Sequence, residues 1–457
     1  MHSDSPQSFY RPLADGPGAS ETSFFSNLAA LVASVALTAA CAAAGVAEAV
    51  WLFFILAFSL LVFAVAFETA FFPRRAALLK FRVRRRLSWK RVWLREAALV
   101  ATLAAVALVY WMFPMFRDKN MQLYYYPFIG VFIPLLLVAA IPYFAVMDKI
   151  DPEEEDVYVR IGRALFTLRR TLTGFEFANY VRSWIVKAFW LSLMQPSMVE
   201  KIRVFLYYRV HDLPNAPRDW FALVVTTVFA IDLCYASAGY IMNFKLVNSH
   251  TRTAEPTLGG WVAALLCYTP FWDMLVYPYF LRYETPNDWQ TLFAPGGAAW
   301  CAWAGAIVFL EAVYAAATIS AGIRFSNLTY RGLWNTGPYR FTKHPAYIFK
   351  NISWWLIAVP FVVNSPAEGI KSSLLLLCVN VLYYFRARTE ERHLSRYPEY
   401  VAYAEEIERR GIFRFVGRIF PFLAYRPPQS ERTVARSASA TLTGTTAAVG
   451  LSTSTDG

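Results

Sequence analysis

Residues 50–72 read VWLFFILAFSLLVFAVAFETAFF, and residues 73–95 read PRRAALLKFRVRRRLSWKRVWLR. A helix needs about 20 apolar residues to cross the hydrocarbon core of a bilayer, and the first string interrupts its apolar run with a single charge, Glu68. The second string carries ten Lys or Arg and no acid. An apolar span followed by a purely basic loop is the pattern of a membrane helix whose following loop stays on the cytosolic side.

The same rule, worked outward, finds candidate spans at 28–46, 97–116, 127–147, 220–244, 260–281, 297–319, 348–363 and 370–385, which with 50–72 makes nine. Residues 183–208 are ambiguous, because Lys187, Glu200, Lys201 and Arg203 interrupt them. They either lie flat at the interface or cross as a broken helix. If they cross, the basic segment 324–350 and the tail after Arg386 return to the cytosol with both termini. The expected fold class is therefore all-α, a polytopic transmembrane bundle of about ten spans with a cytosolic C-terminal catalytic region.

Composition agrees. Of 457 residues, 57% are hydrophobic and 17% charged, and the formal net charge is +12. An ordinary soluble domain carries roughly 25% charged residues. Nucleic acid is not expected as a partner, since the basic residues cluster at the ends of apolar runs. The basic loop 73–96 is expected to fix topology and to touch anionic lipid headgroups, and the DPEEED segment, 151–156, reads as a solvated acidic turn. Cys41, Cys234, Cys267, Cys301 and Cys378 stand singly in apolar stretches, so neither a disulfide framework nor a metal site is expected, and they read as small buried hydrophobes. The first apolar run lacks a basic segment before it and reads as a retained helix rather than a signal peptide. The chain then divides into a cytosolic N-terminal segment (1–26), a transmembrane region of unassigned role (27–296), a C-terminal membrane domain (297–428) and a Ser/Thr/Ala-rich tail (429–457) that buries too little apolar surface to order itself.

Two polar clusters stand at the ends of spans. NTGPYRFTKHPAY, 335–347, contains a Gly-Pro turn, and Pro345 suits the first position of a helix while holding His344 extended before it. A helix start beside Arg340, Lys343 and His344 suits a carboxylate or phosphate, although the plainer account is an interfacial turn anchored by Tyr339 and Tyr347. RARTEERHL, 386–394, places Arg386 and Glu390 at i,i+4, and Arg388 and Glu391 at i,i+3, on a helix end. Salt-bridged solvation explains any one such pair. Adjacent acids among arginines also suit the cationic part of a ligand whose anionic end rests on the first cluster.

Together GPYRFTKHPAY (337–347), RARTEERHL (386–394) and YPEYVAY (397–403) resemble the C-terminal signature of the isoprenylcysteine carboxyl methyltransferase and phospholipid methyltransferase families. The resemblance covers about residues 300–425. It implies an integral membrane methyltransferase that binds S-adenosylmethionine from the cytosolic side and draws a lipophilic acceptor, isoprenoid or lipid-linked, from the bilayer. Carried over by position, His344, Tyr347 and Glu391 would contact the cofactor, with Tyr339, Arg340 and Glu390 shaping the pocket. Arg386 and Arg388 would be catalytic candidates that orient the acceptor or brace the glutamates; an acceptor that must lose a proton could give it to His344 or to a glutamate. Lys343 stands where Arg is common, and Phe349-Lys350 replaces the usual small residues, so the acceptor does not carry over.

Two other classes compete. A membrane NADPH-dependent sterol or polyprenyl reductase has about ten spans, a related C-terminal turn and a closing segment like residues 418–422, RIFPF. A transporter or lipid-binding scaffold would use Asp232, Asn243, Asp273 and Glu311 as a polar pathway.

Overall fold

The computed structural model describes residues 20–71, 82–113, 128–167, 172–284, 288–358 and 364–426. Two helices open the chain, α1 (Phe24–Ala43) and α2 (Ala49–Phe71), packed against each other. They are followed by α3 (Trp89–Met112), α4 (Ile133–Ile150), entered through a π-helical turn, and the short α5 (Val157–Thr167). The long α6 (Gly174–Val210), α7 (Pro217–Ile241) and α8 (Leu258–Leu265) lead to the C-terminal elements. These are α9 (Ala298–Ala321), α10 (Pro345–Ala358), α11 (Pro366–Leu394) and α12 (Pro398–Arg410). The only strands among the described residues are β1 (Thr253–Ala254) and β2 (Thr329–Tyr330), an antiparallel pair with Thr253 opposite Tyr330.

Seven segments are long and apolar enough to cross a membrane: Phe24–Ala43, Ala49–Phe71, Trp89–Met112, Ile129–Ile150, Pro217–Ile241, Ala298–Arg324 and Pro366–Leu394. The chain is an integral, polytopic helical membrane protein. Three expected spans look different. Residues 183–208 are neither broken nor separate but the middle of α6, a 37-residue helix that runs through Pro196 and is locked at its start by a Thr173–Glu176 capping box. Residues 260–281 do not form one helix, because α8 stops at Leu265 and the chain resumes in a π-helical turn, Trp272–Val276. Pro270 and Pro278 both lack the N–H that a continuous helix would need. In 348–363, α10 is described to Ala358, and the remaining expected residues lie outside the described set, as does the tail 429–457.

The acidic turn is solvated in its middle, where residues 152–155 are exposed, but not at its ends. Asp151 and Asp156 are buried, as is Asp148 just before them. Arg95 joins Asp148 (2.8 Å) to Asp156 (2.9 Å), Arg91 meets Asp148 at 2.6 Å, and Lys245 meets Asp151 at 2.9 Å. Part of the basic run therefore neutralises acids more than fifty residues away instead of facing lipid. Arg82, Arg84, Arg86 and Lys90 stay exposed, and Arg74, Arg75 and Lys80 lie outside the described residues. Cys301 and Cys378 are exposed on the outside of their helices, not buried.

In a bilayer, apolar contact gives helices little preference for each other over lipid, so close packing and polar ties select partners. Asn27 of α1 donates to the Ile319 carbonyl of α9 (2.8 Å), and Tyr235 of α7 donates to the Asn27 carbonyl. Arg331, just after β2, is buried and donates to the carbonyls of Ser249, Gly239, Met242 and Phe325. Burial, then the charge of Arg324, pushes its guanidinium down to about 9. This one side chain ties the end of α7 and the α7–β1 connection to the loop that follows α9.

Candidate active site

Helix α9 ends at Ala321, and the chain turns at Gly322 and passes through β2 to a 3₁₀ turn, Gly337–Arg340, before α10 begins at Pro345. Gly337 has φ +57°, a left-handed conformation that favours glycine, and a Cβ there would strike Ser320 and the ring of Phe24. The turn thus lies directly against α9 and α1. Pro345 at the helix start puts His344 at its entry, and α11 continues as one helix to Leu394, bringing the second cluster beside the first.

The two clusters meet. Glu391, almost fully buried, receives Lys343 Nζ at 3.0 Å, His344 Nε2 at 3.1 Å and Arg388 Nη1 at 2.6 Å. Lys343 also reaches Glu408 of α12 at 3.1 Å and lies over the ring of Tyr425. Arg388 donates a second bond to the Ala424 carbonyl. Beside this closed group, Tyr347 donates to Glu390 Oε2 at 2.6 Å, and Oε1 of Glu390 makes no hydrogen bond to any described residue. The rings of His344 and Tyr347 lie parallel, 8° apart with centroids 5.6 Å apart. Tyr339 is anchored from behind: Tyr403 donates to its carbonyl at 2.8 Å. Burial first, then the negative charges of Glu390 and Asp232, hold its phenol above the ordinary range.

Two expected roles change. Arg386 does not pair with Glu390. It is buried, donates to Asn327 Oδ1 at 2.7 Å and to Tyr268 Oη at 3.3 Å, and sits over the rings of Tyr347, Tyr268 and Tyr383 at 4.9, 5.1 and 5.8 Å. Three aromatic faces and an amide oxygen thus surround this cation in place of the carboxylate. Arg340 is exposed, outside the buried cluster. Asn327, Tyr268 and Tyr383 were not singled out from sequence: Tyr268 comes from the interrupted segment after α8, and no local spacing links it to Arg386. The i,i+3 pair Arg388–Glu391 forms as expected.

The arrangement offers an acid with a free oxygen, Glu390, flanked by two flat aromatic faces and framed by cations that Glu391 keeps in place. It can accept hydrogen bonds from hydroxyl or ammonium groups while the His344 and Tyr347 rings cover an apolar or cationic surface. Among the residues proposed for the reductase reading, 418–419 end a short helix and 420–422 follow it, with Ile419, Phe420 and Phe422 exposed. Of the proposed polar pathway, Asn243 is bonded to Thr251 and Asp273 to Thr269, each within its own turn, whereas Asp232 and Glu311 lie deep in the bundle.

Residues 303–396 match the model of the isoprenylcysteine carboxyl methyltransferase (ICMT) family, a range that contains both clusters and excludes the first 300 residues. No curated protein and no solved structure matches the chain.

Proposed function

We propose that this chain is a membrane methyltransferase that uses S-adenosylmethionine to methylate a lipophilic acceptor taken from the bilayer. The observation that carries the reading is the joint one: the segment matching a methyltransferase family closes around Glu390, His344 and Tyr347. The donor set fits the cofactor. Glu390 Oε1 suits hydroxyl or ammonium hydrogens, the parallel rings suit a flat base or a sulfonium, and exposed Arg340 suits a carboxylate. The cofactor, when bound, supplies an electrophilic methyl group.

The residues of the chain then have three tasks. Glu390, Tyr347 and His344 hold the ligand, and Tyr339 closes the pocket from below. Glu391 is a brace: it keeps Lys343, His344 and Arg388 in one position, and so fixes the His344 ring. Arg386 locks α11 to Asn327 and Tyr268. Displacement at a methyl carbon rewards alignment and exclusion of water more than covalent help, and a rigid, membrane-seated pocket provides both. If the acceptor must lose a proton, Nδ1 of His344 is the available basic atom of the cluster.

The test is binding to the purified full-length protein, by calorimetry and thermal shift, of S-adenosylmethionine and of NADPH in parallel. Saturable binding of the first and none of the second is expected; the reverse would replace this reading with the reductase. We also propose that α6, residues 258–281 and α10 cross with the seven helices above, placing the site and both termini on the cytosolic face. A single cysteine introduced near Asn335 should then react with an impermeant maleimide only after the membrane is opened, and labelling from outside would overturn that topology.

A further inference from the structure

Below the site, one turn deeper along α10, lies a second polar group that the reading above does not use. Lys350 Nζ sits over the rings of Tyr314 and Trp354, at 5.0 and 5.3 Å from their centroids, and makes no hydrogen bond or ion pair to a described residue. Opposite, on α9, Glu311 is 1% exposed; its Oε1 accepts from Ser353, and its Oε2 is buried without a partner among the described residues. Lys350 is near enough to act electrostatically on Glu311 yet does not bond to it. Asp232 of α7 completes the group, but both its oxygens are taken, by Tyr314 (2.6 Å) and by Thr318. Lys350, Tyr314 and Trp354 keep part of their surface accessible, so the group opens on that side.

A buried carboxylate oxygen and an ammonium that face each other without meeting leave one acceptor and one donor unfilled, each costly at membrane depth. An anionic ligand group would satisfy Lys350 but confront Glu311 and Asp232. An ammonium would satisfy Glu311 but confront Lys350. A hydroxyl does both: its O–H donates to Glu311 Oε2, and its oxygen accepts from Lys350 Nζ. We infer that Glu311 and Lys350 form a binding subsite for the hydroxyl of a lipophilic alcohol. Because His344 immediately precedes α10, which carries Tyr347 one turn above Lys350, this deepens the methyltransferase reading by naming an acceptor class; binding of the alcohol itself does not depend on that reading.

The experiment measures saturable binding of dodecanol, dodecylamine and dodecanoate to the full-length protein, each against S-adenosylmethionine affinity in the same preparation. Dodecanol should bind at least tenfold tighter than either charged analogue. Glu311→Gln and Lys350→Met should each weaken dodecanol about tenfold and leave S-adenosylmethionine affinity within twofold. Preference for the amine or the carboxylate, or dodecanol binding unchanged in both variants, would overturn the subsite. If Glu311→Gln fails to fold, Lys350→Met decides alone, since Lys350 lies at the open edge. Dodecanol binding with these variant effects but no S-adenosylmethionine binding would retain the subsite and end the methyltransferase reading.

Discussion

Two ion clusters in this molecule are built from similar parts and differ in whether a carboxylate oxygen is left over. In the N-terminal half, Arg91 and Arg95 of α3 meet Asp148 and Asp156, with Ser88 N–H filling a further place on Asp148. Every carboxylate there is occupied from several directions, and both Arg95 and Asp148 are fully buried. In the C-terminal half, Glu391 is just as fully occupied, but its neighbour Glu390 has one partner and one unused oxygen, beside the parallel rings of His344 and Tyr347. A closed cluster holds helices together; the open one, supported by a closed neighbour, is where we propose that the ligand binds.

The largest effect should come from the closed cluster. Arg95→Met removes the cation between two buried aspartates, leaving Asp156 without its ion-pair partner and Asp148 with Arg91 alone, which costs about 3–5 kcal/mol. Melting temperature in a thermal scan should fall steeply, while the folded fraction keeps its S-adenosylmethionine affinity within about twofold by the rule that distant sites act independently. A large loss of affinity would mean that the two clusters are coupled, and would break the contrast between them.

The C-terminal pair splits the same contrast in one helix. Glu391→Gln removes the shared anion of three cations and should cost about 2 kcal/mol of stability, the scale of a hydrogen bond to a charged group. It should also weaken S-adenosylmethionine at least tenfold, because the His344 ring loses its anchor. Glu390→Gln should cost little stability yet weaken the same ligand about tenfold, equivalent to about 1.4 kcal/mol. Calorimetry and thermal scans on both variants separate the roles: equal stability losses with equal affinities would show Glu390 to be one more structural acid.

Much of this was legible in the sequence because it is local. The spans follow from runs of about twenty apolar residues, and the Arg388–Glu391 bridge from one turn of helix. What was not legible depends on distance along the chain. Arg95 and Asp148 are 53 positions apart, so a count of charges within 73–96 saw only a basic loop. The cage around Arg386 draws on Tyr268 and Asn327 from separate elements, 118 and 59 residues away, so the i,i+4 geometry with Glu390 pointed to the wrong partner. Residues 260–281 were apolar enough for a span, but their prolines decide the backbone, and composition alone does not weigh one missing N–H against twenty apolar side chains.

A third region gathers cations around a histidine, two of them already paired, Lys245 with Asp151 and Arg252 with Glu21. His250, in the connection between α7 and β1, faces Lys245 of the same connection, Arg252 beside β1, Arg331 after β2 and Lys187 of α6. Burial first, and then these four positive charges, hold its imidazole well below its ordinary 6.5. The native protein therefore binds fewer protons here than the unfolded chain does below pH about 6.5. The contribution of His250 is fully present above that pH and is lost as the pH falls through it toward the depressed native value. Thermal scans at pH 7.5 and 5.0 should show a modest loss of stability in acid, and His250→Gln, which cannot be protonated, should show less of it. An equal acid loss in the variant would show that His250 is not the group that makes the fold pH-sensitive.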